Sequence, residues 1–138
     1  MKIKINFIPH KDHLFTTLGH WAYDEWELNI WVSDEICWQN KVLVIAHELI
    51  EVAVCINEGI TTEECDKFDA LFESEYDAGI WTKDIEAGYD KRCPYRKGHI
   101  WGGRFERLVC WILGGDWKKL NAECNELMLT GKLNKERI

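Results

Sequence analysis

Val42–Glu58 reads VLVIAHELIEVAVCINE, an apolar helical run that contains three ionisable residues, His47, Glu48 and Glu51. Residues four apart share one face of an α-helix, so His47 and Glu51 point the same way while Glu48 lies about 100° round the axis. Val42, Ile45, Leu49, Val52 and Ile56 cover one face, and Leu43, Ile50 and Val54 widen it. A helix apolar most of the way round is buried. Three buried ionisable groups need a partner charge, and a cation is its simplest source. The plainer alternatives are a polar stripe at a solvent edge, or pairing with Arg or Lys from elsewhere in the chain.

In the His-Glu-x-x-His helix of zinc peptidases, two imidazoles hold Zn²⁺ and the intervening Glu takes a proton from water. Here Glu51 stands at the second histidine position. A carboxylate still ligates zinc but shifts preference toward harder ions such as Mg²⁺ or Mn²⁺. Catalytic zinc sites use three protein ligands, so a third is needed, and His99 in CPYRKGHIWGGRFERLV is the best placed. His99 opens an expected helix after Gly98, with Gly103 and Glu106 on nearly the same face. Small residues at Gly102 and Gly103 let that helix approach another backbone. Glu106 and Asp69 are weaker ligand candidates, or partners that orient the ligands. Tyr95 and Arg107 are the available donors to a developing oxyanion. Each has an ordinary counterpart: His99 as a helix-terminal histidine, Arg107 as a solvated side chain.

These segments together resemble a small uncharacterised family of phage and prophage proteins, similar in appearance to minimal zinc-peptidase, gluzincin-like domains. The resemblance rests on HELIE at His47–Glu51, the GITTEE turn, FDALFE at Phe68–Glu73, PYRKGH at Pro94–His99, ERL at Glu106–Leu108 and LGGDW at Leu113–Trp117. It spans most of the chain. It implies a phage-encoded protein with a His-Glu-His metal site and a zincin-like fold; the departure is Glu51, where those peptidases carry histidine.

The chain has 138 residues, 46% hydrophobic and 30% charged, which describes one folded domain rather than a disordered segment. Its net charge of −7 disfavours general binding to nucleic-acid backbones. No run approaches a membrane span, and MKIKINFIPHKDH lacks the apolar core of a signal peptide. The expected compartment is the cytoplasm, that of the host if the protein is phage-encoded. The six cysteines are accordingly expected as reduced apolar fillers, with Cys93 the one to test as ligand or nucleophile. Lys91, Arg92, Arg96 and Lys97, with Tyr89 and Tyr95, form either an anion-receiving rim or a solvated loop. His10 and His13 read as solvated surface residues, and His20 is given no role. Most of the eight tryptophans are expected in the core, although Trp81 and Trp101 could line a pocket.

Lys2–Ile8 alternates as a half-buried strand, a second extended stretch ends near Tyr23, and Trp26–Val32 is a third. The expectation is an α+β fold, a small antiparallel sheet at the N-terminus followed by about four helices. Ser33 or Asp34 caps the first helix, which runs to about Asn57 before Gly59. Thr61 and Glu64 form a capping box for the second. A loose connection over 74–98 leads to a helix from His99 to Leu113, and Asp116 caps a last helix reaching about Leu129, with a frayed or weakly docked tail.

Three functions compete on this reading. The first is a metal-dependent hydrolase, peptidase-like, in which His47, Glu51 and His99 hold Zn²⁺ and Glu48 is the general base, acting on a peptide or host protein. The second is a non-catalytic protein that binds a host protein, the metal or polar cluster being structural. The third is a Mg²⁺-dependent nucleotide pyrophosphohydrolase, suggested by Glu48-x-x-Glu51 followed by Glu63-x-x-Asp66. Glu63, Asp66, Asp69 and Glu73 otherwise form a solvated face.

Overall fold

The computed structural model describes residues 1–82 and 84–134, with side chains as far as Leu129. Three strands, β1 (Lys2–Ile8), β2 (Gly19–Tyr23) and β3 (Glu27–Ser33), form a sheet in the order β1-β3-β2. Four helices follow: α1 (Trp38–Glu58), α2 (Thr62–Asp77), α3 (Arg96–Ile112) and α4 (Trp117–Asn134). This is the expected α+β layout.

The strand pairing is mixed rather than antiparallel throughout. β2 is antiparallel to β3, whereas β1 runs parallel to it. The loop over 9–18 carries the chain to the far side of the place β3 will take. β2 then turns back through Asp24, whose carboxylate accepts the Trp26 and Glu27 N–H groups, and β3 enters between its neighbours. Ile3, Ile5 and Phe7 sit opposite Leu28, Ile30 and Val32 and share their face. The β3 residues are buried, yet the β1 row is 57%, 46% and 47% exposed. α1 packs chiefly over β2 and β3, so the apolar row of β1 overhangs its edge.

The core joins Trp21, Leu28, Ile30 and Val32 of the sheet to Val44, Val52 and Cys55 of α1 and to Phe68 and Phe72 of α2. Trp21 is the only buried tryptophan among the described residues; Trp26, Trp38, Trp101 and Trp111 are at least half exposed, contrary to the expectation that most are core. All six cysteines are free thiols. No described helix is long and apolar enough to cross a membrane.

The helix ends follow local chemistry. α1 is capped by Cys37 rather than Ser33 or Asp34, because Ser33 completes β3 and its hydroxyl is held by His10 and His13. Gly59 ends α1 in the left-handed region at φ 72°, returning its N–H to the last turn. Thr61 and Glu64 close both halves of the capping box on α2. α3 begins at Arg96, so His99 lies in its first turn, and Asp116 accepts from the Lys119 N–H at the start of α4. α4 runs past the expected Leu129 to Asn134; the rest of the tail lies outside the described residues.

Candidate metal centre

α1 and α3 pack closely because glycines of α3 meet the α1 backbone. A Cβ on Gly98 would lie 2.7 Å from the Glu51 carbonyl oxygen, and one on Gly102 would lie 2.9 Å from that of His47. The close approach thus belongs to Gly98 and Gly102, whereas Gly103 faces the Tyr89 hydroxyl. One residue on from Gly98, His99 is carried directly against His47 and Glu51.

The three side chains converge on one point. His47 Nε2 is 3.2 Å from Glu51 Oε2 and 3.1 Å from His99 Nδ1, and His99 Nδ1 is 2.9 Å from Glu51 Oε2. Among the described residues this is the group able to hold a metal ion. The outer ring nitrogens are also engaged. His47 Nδ1 lies 3.0 Å from Glu106 and His99 Nε2 lies 3.0 Å from Glu86. A carboxylate accepts, so each outer nitrogen keeps its proton when the ring is neutral, and the inner nitrogen is then the one free to ligate. Trp21 Nε1 donates to Glu51 Oε1 at 2.9 Å, leaving Oε2 turned to the histidines.

The electrostatics favour positive charge at this point. Burial would lower His47, but its bonds to Glu106 and Glu51 hold it up at about 11. His99 is likewise held up at about 9, against burial, by Glu51 and Glu86. Glu51 is driven down by the two histidines despite its burial. Glu48 moves the other way, pushed up by burial and by the charge on Glu51. It is buried beside Gly19 of β2 and Val44, and of the four carboxylates around the histidines it alone bonds neither ring. Even with both imidazoles protonated and Glu48 neutral, Glu51, Glu86 and Glu106 leave an excess of negative charge for a cation to offset.

The other expected residues fall into separate places. Glu106 is the partner of His47. Asp69 is outside the ligand group and accepts from the Tyr95 hydroxyl, which is buried behind His99. Burial raises Asp69 to about 7 and also raises Tyr95. The one hydroxyl proton of Tyr95 is therefore engaged away from the centre. Arg107 lines a cleft of about 450 Å³ beside the cluster, bounded by His47, His99, Glu86, Glu106, Tyr89 and helix α4. Asp66 approaches His20 at 3.8 Å instead of joining Glu48 and Glu51, so no carboxylate quartet forms among the described residues. Cys93 is buried and its thiol is pushed up to about 12 by burial, the opposite of an activated nucleophile. Arg92 is paired with Glu75 and Asp90 and Lys97 with Glu58, which neutralises half of the expected basic rim. His10 and His13 are not simply solvated; both bond the buried Ser33 hydroxyl.

No protein-family description, curated protein or solved structure matches this chain. The centre must be read from its own residues.

Sequence reasoning missed Trp21, Glu86 and Gly88. Trp21 lies 30 residues from the carboxylate it orients, in a strand that reads as ordinary core. Glu86 and Gly88 sit in the connection without periodicity, where a short 3-10 turn over Ala87–Tyr89 lays backbone on the His99 ring. A Cβ on Gly88 would stand 2.3 Å from that ring.

Proposed function

We propose that His47, Glu51 and His99 form the zinc site of a zincin-like, metal-dependent hydrolase acting on a peptide or related acyl bond, with Glu48 as general base. The observation that carries this reading is the convergence of two imidazole nitrogens and a carboxylate oxygen within 3.2 Å of one another, each imidazole braced by a carboxylate behind it. That donor set suits zinc; two nitrogens weigh against Mg²⁺, while Mn²⁺ remains a competitor. Three protein donors beside a cleft favour catalysis, since structural zinc is closed by four.

Bound there, zinc would supply Lewis acidity, polarising a carbonyl and acidifying water. The protein's own contribution starts with Glu48. Its raised pKa and freedom from the histidines suit it to take a proton near neutral pH and return it to the leaving group. Glu106 and Glu86 hold the rings in the ligating tautomer, and Trp21 fixes the rotation of the Glu51 carboxylate. Arg107 lines the cleft beside the centre.

Elemental analysis of untagged protein purified without chelators tests the site: about one zinc per chain is expected, lost in His47→Ala and His99→Ala. Glu48→Gln should keep the zinc and abolish hydrolysis of a peptide library. Retained metal with no turnover, and a Glu48→Gln effect on stability alone, would instead make the metal a clamp between α1 and α3 in a non-catalytic binding protein.

A further inference from the structure

The cleft beside the metal centre carries a second chemical feature. Arg104 and Arg107, one turn apart on α3, both line it, and neither has a carboxylate partner among the described residues. Each guanidinium is instead laid over an indole at 4.7 Å, Arg104 over Trp101 and Arg107 over Trp117. Stacking fixes the position of a guanidinium and leaves its N–H groups and charge available. Asn121 and Asn125, on the same side of α4 as Trp117, add neutral donors to the wall.

We propose that this end of the cleft, built on Arg107 with Arg104, Asn121 and Asn125, binds an oxyanion of the substrate, so that the hydrolase acts on acyl compounds bearing an anionic group away from the bond that is cut. The proposal rests on the hydrolase reading for its word substrate, but the anion site itself does not depend on the metal. Inorganic phosphate and glutarate, titrated calorimetrically into zinc-free and zinc-loaded protein, separate a tetrahedral from a carboxylate oxyanion. At least one probe should bind the zinc-free protein, and about tenfold more weakly when the Arg107→Ala change removes a charge-assisted donor. Arg107→Lys should restore part of the affinity. Equal binding to wild type and Arg107→Ala, or binding of neither probe, would overturn the anion site. Failure to take up zinc would overturn the hydrolase reading and leave this measurement standing.

A different observation concerns the outer face of the α1/α3 pair. α3 turns Gly98 and Gly102 inward and leaves Trp101, Phe105, Leu108, Trp111 and Ile112 outside, with exposures from 43% to 78%. These five side chains expose on the order of 600 Å² of apolar surface, at the upper end for a monomer's largest patch and close to the ~800 Å² each partner buries in a stable interface. Ile50 and Val54 of α1 line a groove alongside Trp101, Phe105 and Leu108, so ridge and groove lie on one surface and can complement each other across a two-fold axis. A net charge of −7 disfavours an anionic membrane as the occupant.

The geometry points to a second copy of this chain, its α1/α3 pair packing on the first to make a four-helix layer. Sedimentation equilibrium at micromolar protein should give a dimer. Trp111→Glu and Leu108→Glu, both at exposed positions, should give monomers with unchanged circular dichroism. A monomeric wild type, or a dimer indifferent to both changes, would overturn the proposal. Monomer that co-sediments with phosphatidylcholine/phosphatidylglycerol vesicles would overturn it in favour of a lipid surface.

Discussion

His47 Nε2 and His99 Nδ1 face each other at 3.1 Å although 52 residues separate them, and the Glu51 carboxylate closes the third side of the triangle. Two imidazole lone pairs and a carboxylate oxygen repel one another at such distances unless protons or a cation lie between them. The carboxylates behind the rings hold a proton on each outer nitrogen, so that when the inner protons leave, both inner lone pairs face one point. Glu106→Gln and Glu86→Gln should therefore each weaken zinc binding by about 10- to 100-fold while keeping all three ligands. Competition with a fluorescent chelator would measure this, and wild-type affinity in both variants would remove the two carboxylates from the site.

Zinc must displace protons from rings whose pKa values stand at about 11 and about 9 in its absence. Uptake should release protons, and affinity should rise with pH through the neutral range. Calorimetric titrations in buffers of different ionisation enthalpy read the proton count directly; a heat independent of buffer would contradict the proposed ligand set.

The helix of His47 and Glu51, the order of the elements and the three residues of the cluster were legible in the sequence, because helical periodicity carries two of them over one turn and a helix start marks the third. His47 and Glu51 lie four apart, and Pro94 and Gly98 announce the segment of His99. The parallel pairing of β1 was not legible, since alternation reports which face a residue takes and not which neighbour a strand chooses. Nor was Glu86, whose role depends on a turn without a repeating pattern. The tryptophans misled for a related reason: α3 has a strong apolar stripe, but glycines face α1 and the stripe faces outward.

Trp21 connects the sheet to the centre through a single bond to Glu51, buried and charge-assisted. Trp21→Phe removes that donor and part of the core contact. A loss of about 1.5–3 kcal/mol is expected from the charged hydrogen bond alone, with a fall in zinc affinity as Oε2 loses its fixed orientation. Urea unfolding of zinc-free protein separates the two effects, and an unchanged midpoint would show that Glu51 is held by the histidines without help.

His13 sits with His10 on the buried Ser33 hydroxyl, away from the metal centre. Burial, then the neighbouring charges of His10 and His20, depress it from 6.5 to about 4. A base with a depressed pKa contributes stability above its unfolded value and loses that contribution as pH falls toward the folded one. The thermal midpoint of wild type should thus drop between pH 6.5 and 4 more steeply than that of His13→Gln, which keeps a polar contact without titrating. Parallel pH curves for the two proteins would exclude His13 as the source.

Gly102 is the closest test of how the fold makes the site. Its missing side chain leaves room for the His47 carbonyl, and a Cβ there would also lie 3.2 Å from the His47 ring. Both neighbours are fixed, one as helix backbone and the other by Glu106 and Glu51, so neither can yield cheaply. Gly102→Ala should push α3 outward, at a cost of about 1–3 kcal/mol as for an overpacked core. The outward shift separates His99 from His47 and lowers zinc affinity more than stability. Gly103→Ala, whose Cβ would meet the Tyr89 hydroxyl at 3.7 Å, is the matched control and should leave both nearly unchanged. Zinc titration and thermal unfolding of the pair decide the point: equal behaviour of the two variants would mean that α3 is not held at its glycines, and that the short distance between the histidines is set by the ligands themselves.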